Sequence, residues 1–458
     1  MLFWILAALL VALTASALFL CDYNPAAPAV LFCGGFSISA IVLAQYQGAW
    51  QFQLSMPTFL VVFGGNLAFS AVSIAIHAML KHANFQVAKR KHARKSFVEQ
   101  LLSLRPGIPN YVVVIVLQLV IFFVTLHYVQ AFFPDESLSA AIKSYNAAST
   151  FSTRDMSFPS PFEQIRSLMV TGGYLMAFDF GRNVAEWRKG VSTAKALASF
   201  ACFALSAALT IELGMRTGAV ELAVCAFVAF FICRSKIIRG NGILTWKIAG
   251  ALVALVIVGL AVFQFAAIGR DVSGYDMFDY LAEYLGAQIS NLNVFMTSTP
   301  FPVERGLPGY MTFARDYGYL GGKLGIDSWI YTLDLPFVTM NGYDLGNVYT
   351  TFYAFLYDFG YLGVIVLTGT MAVLSQLIYE QAMRNDWVGT MFCVIYDVVG
   401  STLLLSFFSN KFYETFNVGF VVTIIALFLF YLVFIAPGKT LFDILGTKFQ
   451  RPRKSREA

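Results

Sequence analysis

The sequence predicts an all-α polytopic membrane protein with about eleven transmembrane helices, and two observations lead to this fold class. Hydrophobic residues make up 58% of the 458 residues, charged residues only 12%, and the mean hydropathy is +0.69; soluble domains have a very different composition. The apolar runs also reach the ~20 residues that a helix needs to cross hydrocarbon, whereas barrel strands would appear as short alternating segments.

The apolar runs set the domain organisation. The predicted spans lie near 2–20, 27–45, 57–80, 111–130, 163–181, 194–213, 218–233, 248–268, 350–378, 387–408 and 417–436. They divide the chain into an N-terminal transmembrane bundle (1–268), a long, partly helical outer loop (269–349), C-terminal transmembrane helices (350–436) and a basic tail (437–458). The first run resembles the core of a signal peptide but lacks a basic n-region, so we interpret it as a retained span.

The distribution of basic residues predicts the orientation. Of the 31 Lys and Arg residues, 22 fall in 81–110, 182–195, 234–247 and 437–458 and at position 384, and the other nine fall on or beside alternate connections. Cytoplasmic loops retain positive charge, so we expect these segments in the cytoplasm and the long loop outside. No Lys or Arg precedes Lys81, so the direction of the first three spans follows only from counting back, which places the N-terminus outside.

The net charge of +5 arises from the basic loop and tail that border the membrane. Contact with anionic lipid heads explains these clusters better than nucleic-acid binding does. The six Cys and four His residues show no metal-ligand spacing, and the sequence contains no Walker A motif. We therefore expect no cofactor, no metal site and no nucleic-acid partner.

The long outer loop carries the strongest functional signal. It holds nine of the 22 Tyr residues together with Trp329, whereas disordered segments are poor in aromatic residues, and loops of this length are often functional. Apolar residues in its first part recur at spacings of three and four, which predicts a helix that lies along the membrane surface or caps a cavity. These residues are Phe278, Leu281, Leu285, Ile289, Leu292 and Phe295.

The charge of this loop restricts what it can bind. It has four basic and nine acidic residues, so a phosphate would have to be held by individual arginines with fork geometry. Aromatic rings among carboxylates and amides are complementary to carbohydrate. Alternatively, these rings form only the small core of the loop itself.

Ionisable groups in or beside the spans are further candidates, because such groups are costly in a membrane. Arg216, in the run IELGMRTGAVEL, is either a phosphate ligand at the outer lip or the partner of Glu212 in a structural salt bridge. Arg270 follows a span and could reach the same depth. Asp358 and Asp397 lie within spans, where helix-packing contacts explain them as well as function does.

The run NVYTTFYAFLYDFGYLG after the long loop, the turn LGMRTG around Arg216, and the arginine that follows a span at Arg270 resemble features of a known family. This is the family of bacterial oligosaccharide repeat-unit polymerases (O-antigen and capsule polymerases). The topology is similar over most of the chain. The resemblance implies a GT-C-like membrane glycosyltransferase in the bacterial cytoplasmic (inner) membrane.

The same resemblance implies metal-independent, inverting transfer of a glycan from a polyprenyl-pyrophosphate-linked oligosaccharide donor to an acceptor, at the outer face of the membrane. A flippase and a chain-length regulator of the same pathway would be possible partners. Positioned arginines would stabilise the leaving pyrophosphate, and a general base would take the acceptor proton. The expected ligands of pyrophosphate or glycan are Arg216, Arg270, Arg305, Arg315 and Tyr349. The candidate bases are His127, Asp316 and Asp344.

Two other functions remain open at the level of sequence. An O-antigen ligase would share most of these features, but related ligases use a histidine in the long outer loop, and residues 269–349 contain none. A transporter or lipid flippase would need paired repeats or several broken helices, and the two halves of this chain show no repeat.

The charge distribution makes a testable prediction about topology. A single cysteine introduced at Trp329 in a cysteine-free background should be labelled by a membrane-impermeant reagent added outside intact cells. A cysteine within 81–110 or 437–458 should be labelled only after permeabilisation. Labelling at position 329 from the cytoplasmic side alone would overturn the predicted orientation.

Overall fold

Helices dominate the chain in a computed structural model, as the sequence predicts. The structure describes residues 1–87, 105–150, 156–214, 216–238, 240–246, 248, 250, 277–303, 307–329 and 335–436. Several predicted features lie outside the described residues: nearly all of the span at 248–268, Arg270, Arg305, most of the basic loop and the tail at 437–458.

The helices of the N-terminal half follow the predicted spans closely, because long apolar runs fix where a helix can cross hydrocarbon. They are α1 (Leu2–Leu20), α2 (Pro28–Tyr46), α3 (Met56–Val87), α4 (Ile108–Phe132), α5 (Leu138–Thr150), α6 (Ser160–Ala185), α7 (Thr193–Ile211) and α8 (Thr217–Ser235). Only α5 was not predicted, and it lies in the connection between α4 and α6.

The second half begins with the outer loop and ends with three apolar segments. Its helices are α9 (Met277–Ser298), α10 (Ala314–Leu324), α11 (Thr351–Ala382), α12 (Trp387–Leu404), the short α13 (Lys411–Thr415) and α14 (Val418–Phe430), which continues as a π-helical turn, Tyr431–Ile435. The strands β1 (Thr339–Met340) and β2 (Tyr343–Asp344) form one antiparallel pair.

Within the described residues, nine helices are long and apolar enough to cross a membrane, so the chain is a multi-pass membrane protein. Helix α6 occupies the predicted span 163–181 but is not among the nine, because Glu163, Arg166, Asp179 and Arg182 make it more polar. Arg166 pairs with Glu212, and Arg182 pairs with Asp179. Such pairs reduce the cost of burying charge between helices. A total of eleven spans remains a prediction.

The carboxyl ends of α1, α3 and α11 lie together, so these three helices run in the same direction. At one end, Asp22 after α1 accepts from Lys81 of α3 at 2.7 Å, and His77 Nδ1 lies 2.5 Å from Glu380 Oε1 of α11. We call this the basic end, since the predicted cytoplasmic segments follow it. The opposite end, which we call the loop end, carries residues 277–303, 307–329 and 335–349.

The predicted amphipathic helix of the loop exists as α9, but it is enclosed rather than laid on a surface. Ile289 and Leu292 are fully buried, and a Cβ on Gly286 would lie 2.9 Å from Val42 of α2. Its polar side chains are also buried. Asn291 donates to the carbonyls of Leu345 and Val348 at 3.0 and 2.9 Å. The predicted helix is confirmed. Of its two predicted positions, along the membrane surface or capping a cavity, the burial of α9 excludes the first.

A tight hairpin closes the distal part of the loop. Asn341 and Gly342 connect β1 to β2, and both have positive φ values, 47° and 83°. This geometry is typical of a type I′ turn, for which Asn-Gly is the favoured sequence. The Asn341 side chain also donates to the carbonyl of Ala49 at 2.7 Å. The hairpin therefore contacts the connection between α2 and α3.

Helix α11 is broken at Gly360, where φ is 62° and ψ is −152°, a conformation almost restricted to glycine. The loop is bound at this break. The carboxylate of Asp358 accepts from the backbone N–H groups of Met311 and Thr312 at 3.0 and 2.6 Å, and Val303 N donates to Tyr357 O at 2.7 Å. Asp358 is thus a structural anchor for the loop.

We expect the Asp358→Asn variant to lower the free energy of unfolding by about 2 kcal/mol, because an amide nitrogen would face a backbone donor. The measurement is thermal unfolding of the purified protein in detergent, where the midpoint should fall by a few degrees. Asp327→Asn, at an exposed position, is the matched control. Equal midpoints for both variants would contradict the anchoring role of Asp358.

Candidate functional site

Arg216 lies in the turn between α7 and α8, where Gly214 has a positive φ of 78°. Its Nη1 donates to the hydroxyl of Tyr280 on α9 at 2.9 Å, and its guanidinium carbon lies 6.0 Å from the centroid of the Tyr280 ring. A guanidinium at this distance from an aromatic ring makes a cation–π contact. The arginine thus joins the turn to the outer loop.

The hypothesis of a hairpin salt bridge between Arg216 and Glu212 is not supported. Glu212 is buried and instead accepts from Arg166 of α6, with Nη2 and Nε at 3.2 and 3.3 Å from Oε1. Arg166 comes 46 residues earlier in the chain, so the pairing follows from the packing of α6 against α7. Arg216 instead extends towards α9, where it contacts Tyr280.

Two further aromatic rings extend from Arg216 across the loop end. The rings of Tyr280 and Tyr284 are 5.0 Å apart, and Tyr284 stacks with Phe408 at 6.4 Å with an interplanar angle of 13°. Tyr280 and Tyr284 are one helical turn apart on α9, which places them on the same face. This aromatic row is a surface on which an apolar sugar face could stack.

Glu283 lies on the same turn of α9 as the aromatic row. Its Oε1 atom is buried and has no hydrogen-bond partner among the described residues. Burial, followed by the nearby carboxylates of Asp344 and Asp279, raises the pKa of Glu283 to about 7. A carboxyl group with such a pKa can accept a proton near neutral pH. Sequence analysis missed this residue; its spacing of three from Tyr280 was the available signal.

More charged groups lie near the first turns of α8. Lys411 Nζ lies 3.9 Å from Glu221 and 3.7 Å from Glu414, and Tyr174 donates to Glu221 at 3.0 Å. Arg315, an exposed residue of α10, lies within electrostatic range of the Tyr174 hydroxyl. The amino end of a helix itself attracts anions. Two of the predicted arginines, Arg216 and Arg315, are therefore on the loop end.

The candidate bases from the sequence occupy different places. Asp316 accepts from the backbone N–H of Val418 at 3.1 Å, at the start of α14. Asp344 is exposed in β2 and accepts from Gly346 N at 3.1 Å. His127 is exposed on α4, whose main neighbours are α5 and α7. Of the three, only Asp344 lies beside Glu283.

Tyr349 is buried and donates to the carbonyl of Pro336 at 2.9 Å. Its hydroxyl is engaged within the loop, which corresponds to the alternative that some tyrosines form the core of the loop. Arg270 and Arg305 lie outside the described residues. In the part of the chain that the structure describes, no group of three His, Cys, Asp or Glu residues could hold a metal ion.

Asp397 is another buried carboxylate, on a helix outside the loop. It is fully buried on α12, and within the described residues neither of its oxygens has a hydrogen-bond partner. Helix α12 packs against α8 and α2, so Asp397 faces the interior of the bundle. Asp397 belongs neither to the aromatic row nor to the contact of Arg216 with Tyr280.

No family model, no curated protein sequence and no solved structure matches this chain. The arrangement at the loop end is therefore interpreted from its own chemistry: a guanidinium held against an aromatic row, with a carboxyl group of raised pKa one turn away.

Proposed function

We propose that this chain is a membrane-embedded glycosyltransferase. In this proposal it polymerises polyprenyl-pyrophosphate-linked oligosaccharide repeat units into an O-antigen, capsular or other exopolysaccharide. The contact between Arg216 and Tyr280 is the observation that carries the proposal. It places a fixed positive charge next to an aromatic surface at the end of the bundle that the charge distribution predicts to face outwards.

The reaction needs these two features together. When a glycosidic bond to pyrophosphate breaks, negative charge develops on the leaving oxygen, and a positioned guanidinium can stabilise that charge without a metal ion. The aromatic row, Tyr280, Tyr284 and Phe408, would bind the apolar face of a sugar next to it. The lipid part of both substrates would stay in the bilayer, in contact with the exposed apolar side chains of the helices.

The break in α11 bears on the transporter alternative. Broken helices in transporters surround a substrate site near the middle of the membrane. Here the break is filled by the chain's own loop, through Asp358, Met311 and Thr312. This filling favours a fixed catalytic loop over a moving gate. The absence of histidine from residues 269–349 favours a polymerase over a ligase.

In the cell, the chain would act in the bacterial cytoplasmic membrane with its active site on the outer face. It would receive repeat units from a flippase and interact with a chain-length regulator. It would need no cofactor.

The glycans of a strain that lacks the gene test the proposed function. Gel electrophoresis should show that long chains are lost while the single-unit glycolipid is retained, and a plasmid copy of the gene should restore the ladder. Loss of all attached sugar, including the single unit, would indicate a ligase. Lipid-linked units that remain on the cytoplasmic side would indicate a transporter.

The second prediction concerns Arg216. Lysine keeps the charge but loses the fork geometry and the stacking, so Arg216→Lys should lower polymerisation roughly tenfold or more, the effect of losing a hydrogen bond to a charged group. The measurement is the polysaccharide ladder beside an immunoblot of the membrane-inserted protein.

Lys143→Gln is the control, because Lys143 is an exposed cation of α5 and belongs neither to the aromatic row nor to the turn of Arg216. It should leave both the ladder and the protein abundance close to wild type. If Arg216→Lys lowers the abundance as much as it lowers the ladder, the arginine is only structural. A normal ladder from Arg216→Lys would exclude its role in binding pyrophosphate.

A further inference from the structure

We infer that Glu283 is the general base that takes the proton from the acceptor hydroxyl, an assignment that rests on the proposed glycosyl transfer. The geometry that supports it is the face of α9. Glu283 follows Tyr280 by three positions and precedes Tyr284 by one, so the carboxylate lies within one helical turn of the residue that contacts Arg216. The base thus lies on the same helix as Tyr280, the residue that holds Arg216 at the anion site.

Three other carboxylates of the loop end are already engaged by backbone N–H groups. Asp316 accepts at the start of α14, Asp358 accepts from Met311 and Thr312, and Asp344 accepts from Gly346. Oε1 of Glu283, by contrast, is buried with no hydrogen-bond partner among the described residues. A buried acceptor without a donor is costly, and the hydroxyl of a bound acceptor would satisfy it.

In the proposed step, the acceptor hydroxyl oxygen forms a bond to the anomeric carbon of the donor as its proton passes to Glu283. The bond from that carbon to the pyrophosphate oxygen breaks, and the polyprenyl pyrophosphate leaves with the bonding electrons, next to Arg216. The proton on Glu283 then passes to solvent, since the side chain is half-buried rather than enclosed. No oxidant, reductant or metal ion takes part.

The electrostatic surroundings suit this role. Burial raises the pKa of Glu283 to about 7, and the titratable groups that contribute among the described residues are Asp344 from the hairpin and Asp279 from its own helix. A base is active when deprotonated, so the rate should fall as the pH decreases through this value. Neutralising Asp344 removes a negative charge that opposes ionisation, so it should lower the pKa of Glu283.

The experiment uses purified full-length protein in lipid nanodiscs and, as substrate, the lipid-linked single repeat unit extracted from the deletion strain. The polymerisation rate is measured from pH 5.5 to 8.5 for the wild type, Glu283→Gln, Glu283→Asp and Asp344→Asn. We expect Glu283→Gln to lose about 100-fold or more in rate. Glu283→Asp should keep part of the activity and its decline at low pH. Asp344→Asn should still polymerise, with its decline shifted to lower pH.

The outcomes separate the base from the function. If wild-type protein does not extend the repeat unit, the proposed function fails. If wild-type protein is active and well-folded Glu283→Gln matches its rate, the assignment of Glu283 fails and the function stands. Loss of activity in Asp344→Asn, with an unshifted profile in Glu283→Asp, would make Asp344 the base instead. The elution profile of each variant in detergent controls for misfolding.

Discussion

The loop end depends on one interaction, the acceptance of two backbone N–H groups by the carboxylate of Asp358 at the break in α11. Irregular backbone near a membrane is stable only where its polar groups are satisfied within the protein. Gly360 supplies the conformation that opens the helix, and Asp358 binds the segment that enters the opening. In the sequence Asp-Phe-Gly of α11, the glycine breaks the helix and the aspartate binds the loop segment that lies at the break. The rest of the loop end packs around this point.

The rigidity of the candidate site has a second origin in the buried polar face of α9. Asn291 holds the segment before α11, and Asn293 exchanges hydrogen bonds with the backbone before α3, accepting from Ser55 N at 2.8 Å and donating to Gln53 O at 3.3 Å. These bonds fix the helix that carries Tyr280 and Glu283. Sites built on fixed helices hold their geometry better than sites on free loops, which suits a reaction in which two large substrates must meet.

The sequence predicted the helices well and the site only in part, for physical reasons. Apolar runs determine where a helix crosses hydrocarbon, so spans such as 2–20 matched closely. Pairings between distant segments leave no local pattern. A salt bridge between Glu212 and its near neighbour Arg216 was one of two interpretations of that arginine, but the packing of α6 brings Arg166 to Glu212. Arg216 contacts Tyr280 instead. Glu283 was overlooked because its spacing of three from Tyr280 does not distinguish it from the other eight acidic residues of the loop until the burial of its oxygen is known.

The long reach of several contacts has a consequence for how the chain is made. Asn24, in the turn before α2, donates to the hydroxyl of Tyr379, which is 355 residues further along, and the flank of α2 is covered by α9. Helices α1 and α2 enter the membrane during synthesis, long before α9 or Tyr379 has been translated. Until then the face of α2 that includes Gly35, where a Cβ would collide with the carbonyl oxygen of Leu404, must remain against lipid or the insertion machinery. The packing of the first helices is therefore completed only after insertion, once the last third of the polypeptide has been synthesised.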